Sequence, residues 1–375
     1  MLASTILRSL AVKFPFDRVT CLRSLPLITA LLLGAATLAP VAGQAAPAGK
    51  PLRVGVLYWS MNIPGQVAMR KGLEDEAQRI NAIAKHNNLP QLQLIPRVAG
   101  DGAPGVERQI AQMFEMVKQK PDIIIVQPTD NAALAEPLRA ANQAGIPVVA
   151  YDQYISGGSL AAYITSDNQQ AGYLDGEYLA AQFPDQTAIK LILVEYPRVS
   201  STVERLNGFL DALRDHDQAY QVLKTYEAVE PVAGRRVGQQ ILRDFPARGS
   251  VDAVFSVNDG GGLSIVDALA QAGRNEIMVA SIDGDPQSVD NIRKQRLTRI
   301  DTAQFCGPLG AEALKAAYAI ATGKPTARQS LVPVFPITRE TLARYPGWGG
   351  PIPAKFTKPW VARNPVWEGA VKSAP

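Results

Sequence analysis

The chain of 375 residues contains 38 Lys and Arg residues against 34 Asp and Glu residues, and 47% of its residues are hydrophobic. More than one lobe is expected, because a single hydrophobic core stops growing beyond about 250–300 residues. No run of Lys and Arg with interleaved aromatic residues occurs, so the composition does not indicate a nucleic-acid partner.

An apolar segment near the start of the chain has the layout of a secretory signal peptide. Residues 25–38 are predominantly apolar, four basic residues precede them, and Gly43 and Ala45 lie at positions −3 and −1 of a cleavage point. A retained membrane anchor is the alternative, but the apolar run is shorter than the roughly 20 residues of a spanning helix. We expect residues 1–45 to be removed on export to the periplasm, which lowers the net charge from +4 to about +1.

Strand-length apolar runs alternate with helical patterns over most of the remaining chain. The predicted strands are Leu52–Tyr58, Leu92–Val98, Ile123–Gln127, Val148–Tyr151, Leu191–Val194, Ala253–Val257, Ile277–Ile282 and Ile300–Ala303. The segments with apolar residues at spacings of three and four are 66–84, 104–119, 131–144, 168–182, 202–215, 259–273 and 308–322. This alternation predicts parallel α/β sheets that are covered by helices on both faces.

Polar residues follow several of the predicted strands. They are Asp152, Asn258, Asp259, Asp283 and Asp285. Ligands of open parallel sheets bind beyond the carboxyl ends of the strands, so these side chains are candidates for ligand contacts. The same residue types also form turns and helix N-caps, and for any single one of them this alternative stays open.

Residues that carry catalysis or bind metals are scarce. Cys306 is the only cysteine after the predicted cleavage point, which excludes an intramolecular disulfide and zinc sites of the Cys₄ or Cys₂His₂ kind. His86 and His216 have no nucleophile near them in the sequence, and the GxSxG and GxxxxGK[ST] motifs do not occur. The sequence therefore predicts a binding protein rather than an enzyme, with no cofactor and no metal.

The end of the chain differs in composition from the rest. Residues 346–375 are rich in proline and glycine and contain three of the four tryptophans, Trp348, Trp360 and Trp367. We expect an irregular segment that packs across a lobe through these rings. An exposed docking patch is the alternative.

Several long segments occur in an order and at a spacing that are typical of one protein family. They include RVGVLYWSMNIPGQVAMRKGLEDEA, PDIIIVQPTDNAALAEPLRAANQAGIPVVAYDQ, VDAVFSVNDGGGLSIVDALAQAG and MVASIDGDPQSVDNIRKQRLTRIDTAQ. From residue 51 to about 335 the chain resembles the periplasmic sugar-binding proteins of ABC transporters, in the ribose-, galactose- and arabinose-binding group.

The resemblance implies an α/β architecture of two doubly wound parallel-sheet lobes, the periplasmic binding protein type I fold, joined by a three-crossover hinge. The implied N-terminal lobe comprises residues 51–165 and 305–333, and the C-terminal lobe comprises residues 166–304 and 334–345. The ligand is expected in the cleft between the lobes.

The resemblance also implies which residues contact the ligand. Family ligand positions and the first loop, where the family places aromatic rings, correspond here to Tyr58, Trp59, Gln66, Asp152, Gln153, Asn168, Arg198, Asn258, Asp283 and Gln304. The chain departs from the ribose pattern, because Gly65 and Gln66 replace an aromatic pair and Gln153 replaces an arginine. Val203 replaces a second arginine, for which Arg198 or Arg205 is a substitute.

The expected function is the capture of a sugar or sugar-like polyol and its delivery to the permease of an ABC transporter, by a protein that is expected to be a monomer. The alternative is a periplasmic sensor with the same fold that docks a membrane histidine kinase. Repressors that share the fold carry a helix-turn-helix at the position that the export leader occupies here.

Overall fold

A computed structural model describes residues 49–183 and 187–374 of the chain. The predicted signal peptide, residues 1–45, lies outside the described residues. Among the described helices, none combines the length and the apolar character that crossing a membrane requires.

Strands and helices alternate through the first half of the described chain. They are β1 Leu52–Tyr58, α1 Pro64–His86, β2 Leu92–Val98, α2 Gly102–Lys118, β3 Ile123–Val126, α3 Ala135–Gln143, β4 Val148–Tyr151 and β5 Ala162–Ser166. The same alternation continues with α4 Asn168–Ala180, β6 Ile189–Glu195, α5 Ser200–Asp215, β7 Tyr220–Glu227, α6 Pro231–Asp244, β8 Ala253–Ser256, α7 Asp259–Gln271, β9 Met278–Asp283, α8 Pro286–Arg293 and β10 Thr298–Gln304.

The chain then forms one more long helix and several short strands. These elements are α9 Cys306–Ala321, β11 Gln329–Val332, β12 Val334–Thr338, a 3₁₀ turn at Leu342–Arg344, β13 Phe356–Thr357, β14 Val366–Trp367 and β15 Lys372–Ala374. The predicted strands are all present, whereas β5, β7 and the helices α6 and α8 were not among the predicted elements.

Two separate sheets divide the chain into two α/β lobes. The first sheet has the strand order β15-β11-β5-β4-β3-β1-β2, and the second has the order β12-β10-β9-β8-β6-β7. Pairing is parallel in both except at one end of each sheet, where β15 and β12 pair antiparallel. The orders 2-1-3-4-5 and 7-6-8-9-10 each reverse direction once, which creates a ligand-binding crevice at the carboxyl ends of the strands.

Buried strands explain why the sequence forms these sheets. Every residue of Ile123–Val126 and of Ala253–Ser256 is buried, as expected of parallel strands that have helices on both faces. The helices α4 and α5 pack together beside the second sheet, and α1 and α9 pack together beside the first. The predicted doubly wound fold with two lobes is confirmed.

Before the C-terminal tail, which returns to the first sheet in β15, the chain passes from one sheet to the other three times. The passages follow β5, β10 and β11, so they lie between Ser166 and Asn168, between Gln304 and Cys306, and between Val332 and Val334. The lobe limits themselves stay a prediction. All three passages lie beside the crevices, so the cleft is built next to the hinge.

The C-terminal tail, residues 345–374, contacts both lobes. Trp367 packs against Phe335 and Phe356, and its indole Nε1 donates a hydrogen bond to the carbonyl of Val334 in the second sheet. Strand β15 then pairs with β11 of the first sheet. The tail was expected to be irregular, but β15 is ordered by the open edge of β11, which offers unpaired backbone groups.

Candidate ligand cleft

The carboxyl ends of the two sheets face one another across a cleft that is lined mainly by polar residues. The first lobe contributes Trp59, Gln66, Asp152 and Gln153, and the second contributes Ser201, Arg205, Asn258 and Asp283. Gln304 joins them from the end of β10, next to the second passage between the lobes. These residues lie up to 245 positions apart in the sequence, and the fold brings them together at the cleft.

Asp152 presents an unsatisfied carboxylate oxygen at this cleft. The residue follows β4 with a positive φ of 67° and is only 3% exposed. Gln127 donates a hydrogen bond to Oδ2 over 2.9 Å, whereas Oδ1 has no hydrogen-bond partner among the described residues. Burial raises the pKa of this carboxyl group. An unpaired buried acceptor costs about 1–3 kcal/mol, so Asp152 is prepared to receive a donor from a ligand.

Asp283 is the cleft carboxylate of the second lobe, and it is already paired. Its Oδ1 accepts hydrogen bonds from Arg205 Nη1 over 2.9 Å and from Gln304 Nε2 over 2.7 Å. Burial raises the pKa of Asp283, and the neighbouring guanidinium opposes that shift. A buried ion pair needs further hydrogen bonds to offset its desolvation, and this one has them from Gln304 to Asp283 and from Arg205 to Asn168 and Val257.

Arg205 is held in place by groups on several elements. Its Nε donates to Asn168 Oδ1 over 2.9 Å, and its Nη1 also donates to the carbonyl of Val257 over 2.9 Å. Asn168 does not line the cleft but fixes the guanidinium that does. Arg198 and Arg205 were alternatives from the sequence, and the helical spacing of the buried residues Ser201, Arg205, Gly208 and Phe209 on α5 is the signal that favours Arg205.

Two other predicted ligand residues also lie outside the cleft. Tyr58 is fully buried, its hydroxyl lies 3.4 Å from Glu74, and the guanidinium of Arg70 lies over its ring. Burial raises the pKa of the Tyr58 hydroxyl. Successive strand residues point to opposite faces, so Trp59 reaches the cleft and Tyr58 does not.

Arg198 is the third predicted residue that the structure keeps away from the cleft. Its half-exposed side chain pairs with Glu227 over 3.3 Å at the surface. Arg205 therefore supplies the guanidinium of the cleft, in place of Arg198.

The polar residues at strand ends divide between ligand cleft and helix caps. Asn258 lines the cleft, but it also caps α7, because its Oδ1 accepts from the backbone N–H of Gly261 over 3.1 Å. Asp285 caps α8 and does not line the cleft. Asp259 is buried and does not line the cleft, and its carboxylate accepts hydrogen bonds from Ser281 Oγ and from the N–H of Asp285. The cap alternative thus applies to Asn258 and Asp285.

Ser201 is a cleft residue that sequence reasoning missed. It is 1% exposed, and its Oγ has no hydrogen-bond partner among the described residues. Its backbone N–H donates to Gln153 Oε1 of the other lobe over 3.2 Å. Each lobe therefore contributes one unpaired buried oxygen to the cleft, on Asp152 and on Ser201.

Hydrogen bonds join the lobes around the mouth of the cleft. The N–H of Asn131 donates to the carbonyl of Arg198 over 3.0 Å, and the N–H of Ser200 donates to Asn131 Oδ1 over 3.2 Å. The N–H of Gly102 donates to Glu230 Oε1 over 2.9 Å. The described lobes are therefore in a closed arrangement.

Residues 100–105 read GDGAPG and match the GxGxxG pattern at the start of α2. The phosphate-binding position of such a motif is already occupied, because the N–H of Gly102 is bonded to the carboxylate of Glu230. Gly105 is required by close packing, since a Cβ there would lie 2.0 Å from the carbonyl oxygen of Gly100. The motif follows the edge strand β2 rather than the strand at the reversal point, and it is explained by packing and lobe closure.

The described part of the chain contains no group of three or more His, Cys, Asp or Glu side chains arranged to hold a metal ion. The charged side chains among the cleft-lining residues are Asp152, Arg205 and Asp283. The cleft-lining side chains are suited to hydrogen bonding with a polar ligand that carries many hydroxyl groups.

Comparisons with known proteins agree with this architecture. Residues 54–325 match the family model of the periplasmic binding protein domain. The ribose import binding protein of Escherichia coli strain K12 is 27% identical over 272 residues, which cover 72% of this chain and 85% of that protein.

Solved structures extend the likeness to the whole fold. The Caulobacter myo-inositol binding protein bound to myo-inositol is 24% identical, with a TM-score of 0.68 and coverage of 81% of this chain and 99% of that one. A periplasmic solute binding protein of an ABC transporter from Actinobacillus succinogenes 130z, with bound D-allose, is 23% identical, with a TM-score of 0.65 and coverage of 79% and 100%. The chain belongs to the periplasmic binding protein family.

Proposed function

We propose that this protein binds a small, neutral sugar or sugar-like polyol between its lobes and delivers it to the permease of an ABC transporter. The observation that carries the proposal is the buried carboxylate of the cleft residue Asp152, whose Oδ1 has no hydrogen-bond partner among the described residues. A hydroxyl group of the ligand is the donor that this oxygen lacks.

The cleft supplies the kinds of groups that a polyhydroxylated ligand requires. Carboxylates accept hydrogen bonds from hydroxyl groups, and charge-assisted bonds are about twice as strong as neutral ones. Gln66, Gln153 and Gln304 carry amides, which both donate and accept. The Trp59 ring, which packs with Val199 and Val229, offers an apolar surface to the C–H face of a sugar ring.

The charges of the cleft favour a neutral ligand over an anionic one. Two carboxylates, Asp152 and Asp283, meet one guanidinium, and Arg205 already donates to Asp283, Asn168 and Val257. A carboxylate or phosphate group on the ligand would lie near two negative charges in a buried site. Such like-charge contacts disfavour acidic sugars and sugar phosphates.

Closure of the lobes links binding to delivery. A ligand shifts the lobes toward the closed arrangement only through contacts that it makes better in that arrangement. Asp152 of the first lobe and Ser201 of the second both carry unpaired oxygens, so a ligand that satisfies both gains most when the lobes are closed. The closed form is then the form that a membrane permease receives.

Transport rather than sensing is supported by the relatives. The ribose import binding protein and the two solute-binding proteins with bound D-allose and myo-inositol are binding proteins for small carbohydrates or polyols. The predicted signal peptide is consistent with capture in the periplasm. The histidine-kinase alternative is not favoured by these relatives.

Titration calorimetry of the exported protein tests the proposal. The panel contains D-ribose, D-allose, xylitol and myo-inositol, with glucuronate and ribose 5-phosphate as acidic counterparts. At least one neutral member is expected to bind and the acidic counterparts to bind much more weakly. Binding of only acidic compounds or amino acids would contradict the proposal.

A further inference from the structure

One tryptophan of the C-terminal tail lies against the base of the cleft. The indole Nε1 of Trp348 donates a hydrogen bond to the carbonyl of Asp283 over 2.7 Å. The carbonyl of Trp348 accepts from the N–H of Gly307, at the start of α9, over 3.1 Å. A Cβ on the cleft-lining Gly65 would lie 3.8 Å from the indole Cζ2. Trp348 thus contacts both lobes, although it lies outside residues 54–325 that match the family model.

The peptide group that Trp348 contacts is strained. Asp283 has a φ of 139°, in a region that residues with a Cβ rarely adopt. The carbonyl of this peptide group is bonded to Trp348, and its N–H, on Gly284, donates to Asp301 Oδ1 over 2.9 Å. The peptide group is therefore held from both ends, by the tail on one side and by a buried carboxylate on the other.

Relief of this strain requires a rotation about the N–Cα bond of Asp283. That rotation would move the carbonyl group and the side chain of Asp283 together. Gly284 has a φ of 80° and can follow such a change, because glycine adopts positive and negative φ about equally well. The hydrogen bonds from Trp348 and to Asp301 oppose the rotation and hold the strained conformation.

The backbone conformation of Asp283 decides where its carboxylate points. In the observed orientation the carboxylate lies in the cleft and accepts from Arg205 and Gln304. We infer that Trp348 is a positioning residue for ligand binding, which acts by fixing the Asp283 peptide group, and this inference rests on the proposed function.

The rest of the tail holds Trp348 in place. Glu177 of α4, which is fully buried, accepts hydrogen bonds from Lys358, from Trp360 Nε1 over 3.1 Å and from the N–H of Arg363 over 3.1 Å. Because these contacts already order the tail, the hydrogen bond of Trp348 is formed with little further loss of chain entropy.

Trp348→Phe removes the indole donor and keeps an aromatic ring. Trp367→Phe is the matched control, because it also removes an indole hydrogen bond of the tail to a backbone carbonyl, of 3.0 Å, but outside the cleft. Two readouts are compared in the exported protein: hydrogen exchange of peptides covering residues 279–290 without ligand, and the Kd for the neutral polyol that the wild type binds most tightly.

Trp348→Phe is expected to speed exchange in residues 279–290 and to weaken binding about tenfold, which corresponds to the loss of about one hydrogen bond. Trp367→Phe is expected to lower the melting temperature while leaving both readouts within about twofold of the wild type. Should Trp348→Phe fail to fold, Trp348→Leu, which also lacks a donor, takes its place with the same expected changes.

Equal exchange profiles and equal Kd values for the two Phe variants would overturn the role of Trp348, as would wild-type values for both readouts in Trp348→Leu. A wild-type protein that binds no member of the polyol panel overturns the proposed function instead. The exchange comparison needs no ligand, so in that case it still decides whether Trp348 fixes the Asp283 peptide group.

Discussion

The two carboxylates that the lobes contribute to the cleft differ in how far the protein satisfies them. Asp152 of the first lobe has one bonded oxygen and one unpaired oxygen. Asp283 of the second lobe accepts from Arg205 and Gln304, and its backbone is fixed by Trp348. The comparison teaches that the second lobe is organised before the ligand arrives, whereas the first lobe gains a missing hydrogen bond when the ligand binds.

The largest effect is expected from substitution of Arg205, the cation that the second lobe contributes to the cleft. Arg205→Met leaves Asp283 buried without its charged partner, so we expect a loss of about 3–5 kcal/mol of unfolding free energy together with loss of ligand binding. Urea unfolding and titration calorimetry measure the two effects.

Arg198→Met is the matched control for this substitution. Arg198 pairs with Glu227 at the surface, where an ion pair contributes about 0–1 kcal/mol. Equal losses in the two variants would show that the guanidinium of the cleft has been assigned to the wrong residue.

A smaller and more selective effect is expected at the unpaired carboxylate. Asp152→Asn keeps the size of the side chain and removes the charge, so we expect ligand binding to weaken at least about tenfold. The melting temperature of the free protein should stay the same or rise, because burial already disfavours the charged form of Asp152.

Asp130→Asn provides the comparison for Asp152→Asn. Asp130 also follows a strand of the first sheet, but its Oδ1 accepts from the N–H groups of Ala132 and Ala133, outside the cleft. We expect the Kd of Asp130→Asn for the ligand to match that of the wild type. A large drop in the stability of Asp152→Asn would mean that Asp152 is structural and does not wait for a ligand.

The smallest expected effect is on the pH dependence of stability. It arises from Asp301, which accepts a hydrogen bond from the N–H of Gly284, next to Asp283. Burial is the main cause that raises the pKa of Asp301 to about 7, next to Asp259 and Asp175. The unfolded value is near 3.9, so between about pH 4 and 7 the folded protein binds more protons at Asp301 than the unfolded chain does. This contribution to stability is complete below about pH 4 and is lost as the pH rises toward 7.

Asp301→Asn is expected to remove this pH dependence, because an amide resembles the protonated acid and still accepts from the N–H of Gly284. The melting temperature of the wild type should fall by a few degrees more than that of Asp301→Asn between pH 5 and pH 8. Asp290→Asn, at an exposed position of α8, should keep the wild-type slope. Parallel slopes for all three proteins would exclude Asp301 as the group that titrates.

The sheet architecture could be predicted from the sequence because its central strands are continuously apolar. Ile123–Val126 and Ala253–Ser256 are buried on both faces, and no other element produces such runs at this spacing. Strand β7, Tyr220–Glu227, was missed because it lies at the edge of the second sheet and exposes most of its side chains. Its sequence therefore lacks the apolar signal.

The site was predicted in part, and the failures have identifiable causes. Tyr58 has the same parity as Val54 and Val56, so the two-residue period of β1 places it on the face that packs into the core rather than toward the cleft. Trp348 and Asp283 are 65 residues apart and meet only through the tertiary fold. No local sequence pattern predicts such a contact, whereas the strand-end positions of Asp152 and Asp283 follow from the topology of parallel sheets.

The most direct test of the account is a crystal structure of the protein with the neutral polyol that it binds most tightly. The account predicts a ligand hydroxyl within about 2.5–3.0 Å of Asp152 Oδ1, with Arg205 and Asp283 still paired on the opposite side of the cleft. A ligand bound elsewhere, or a ligand in the cleft that leaves Asp152 Oδ1 without a donor, would contradict it.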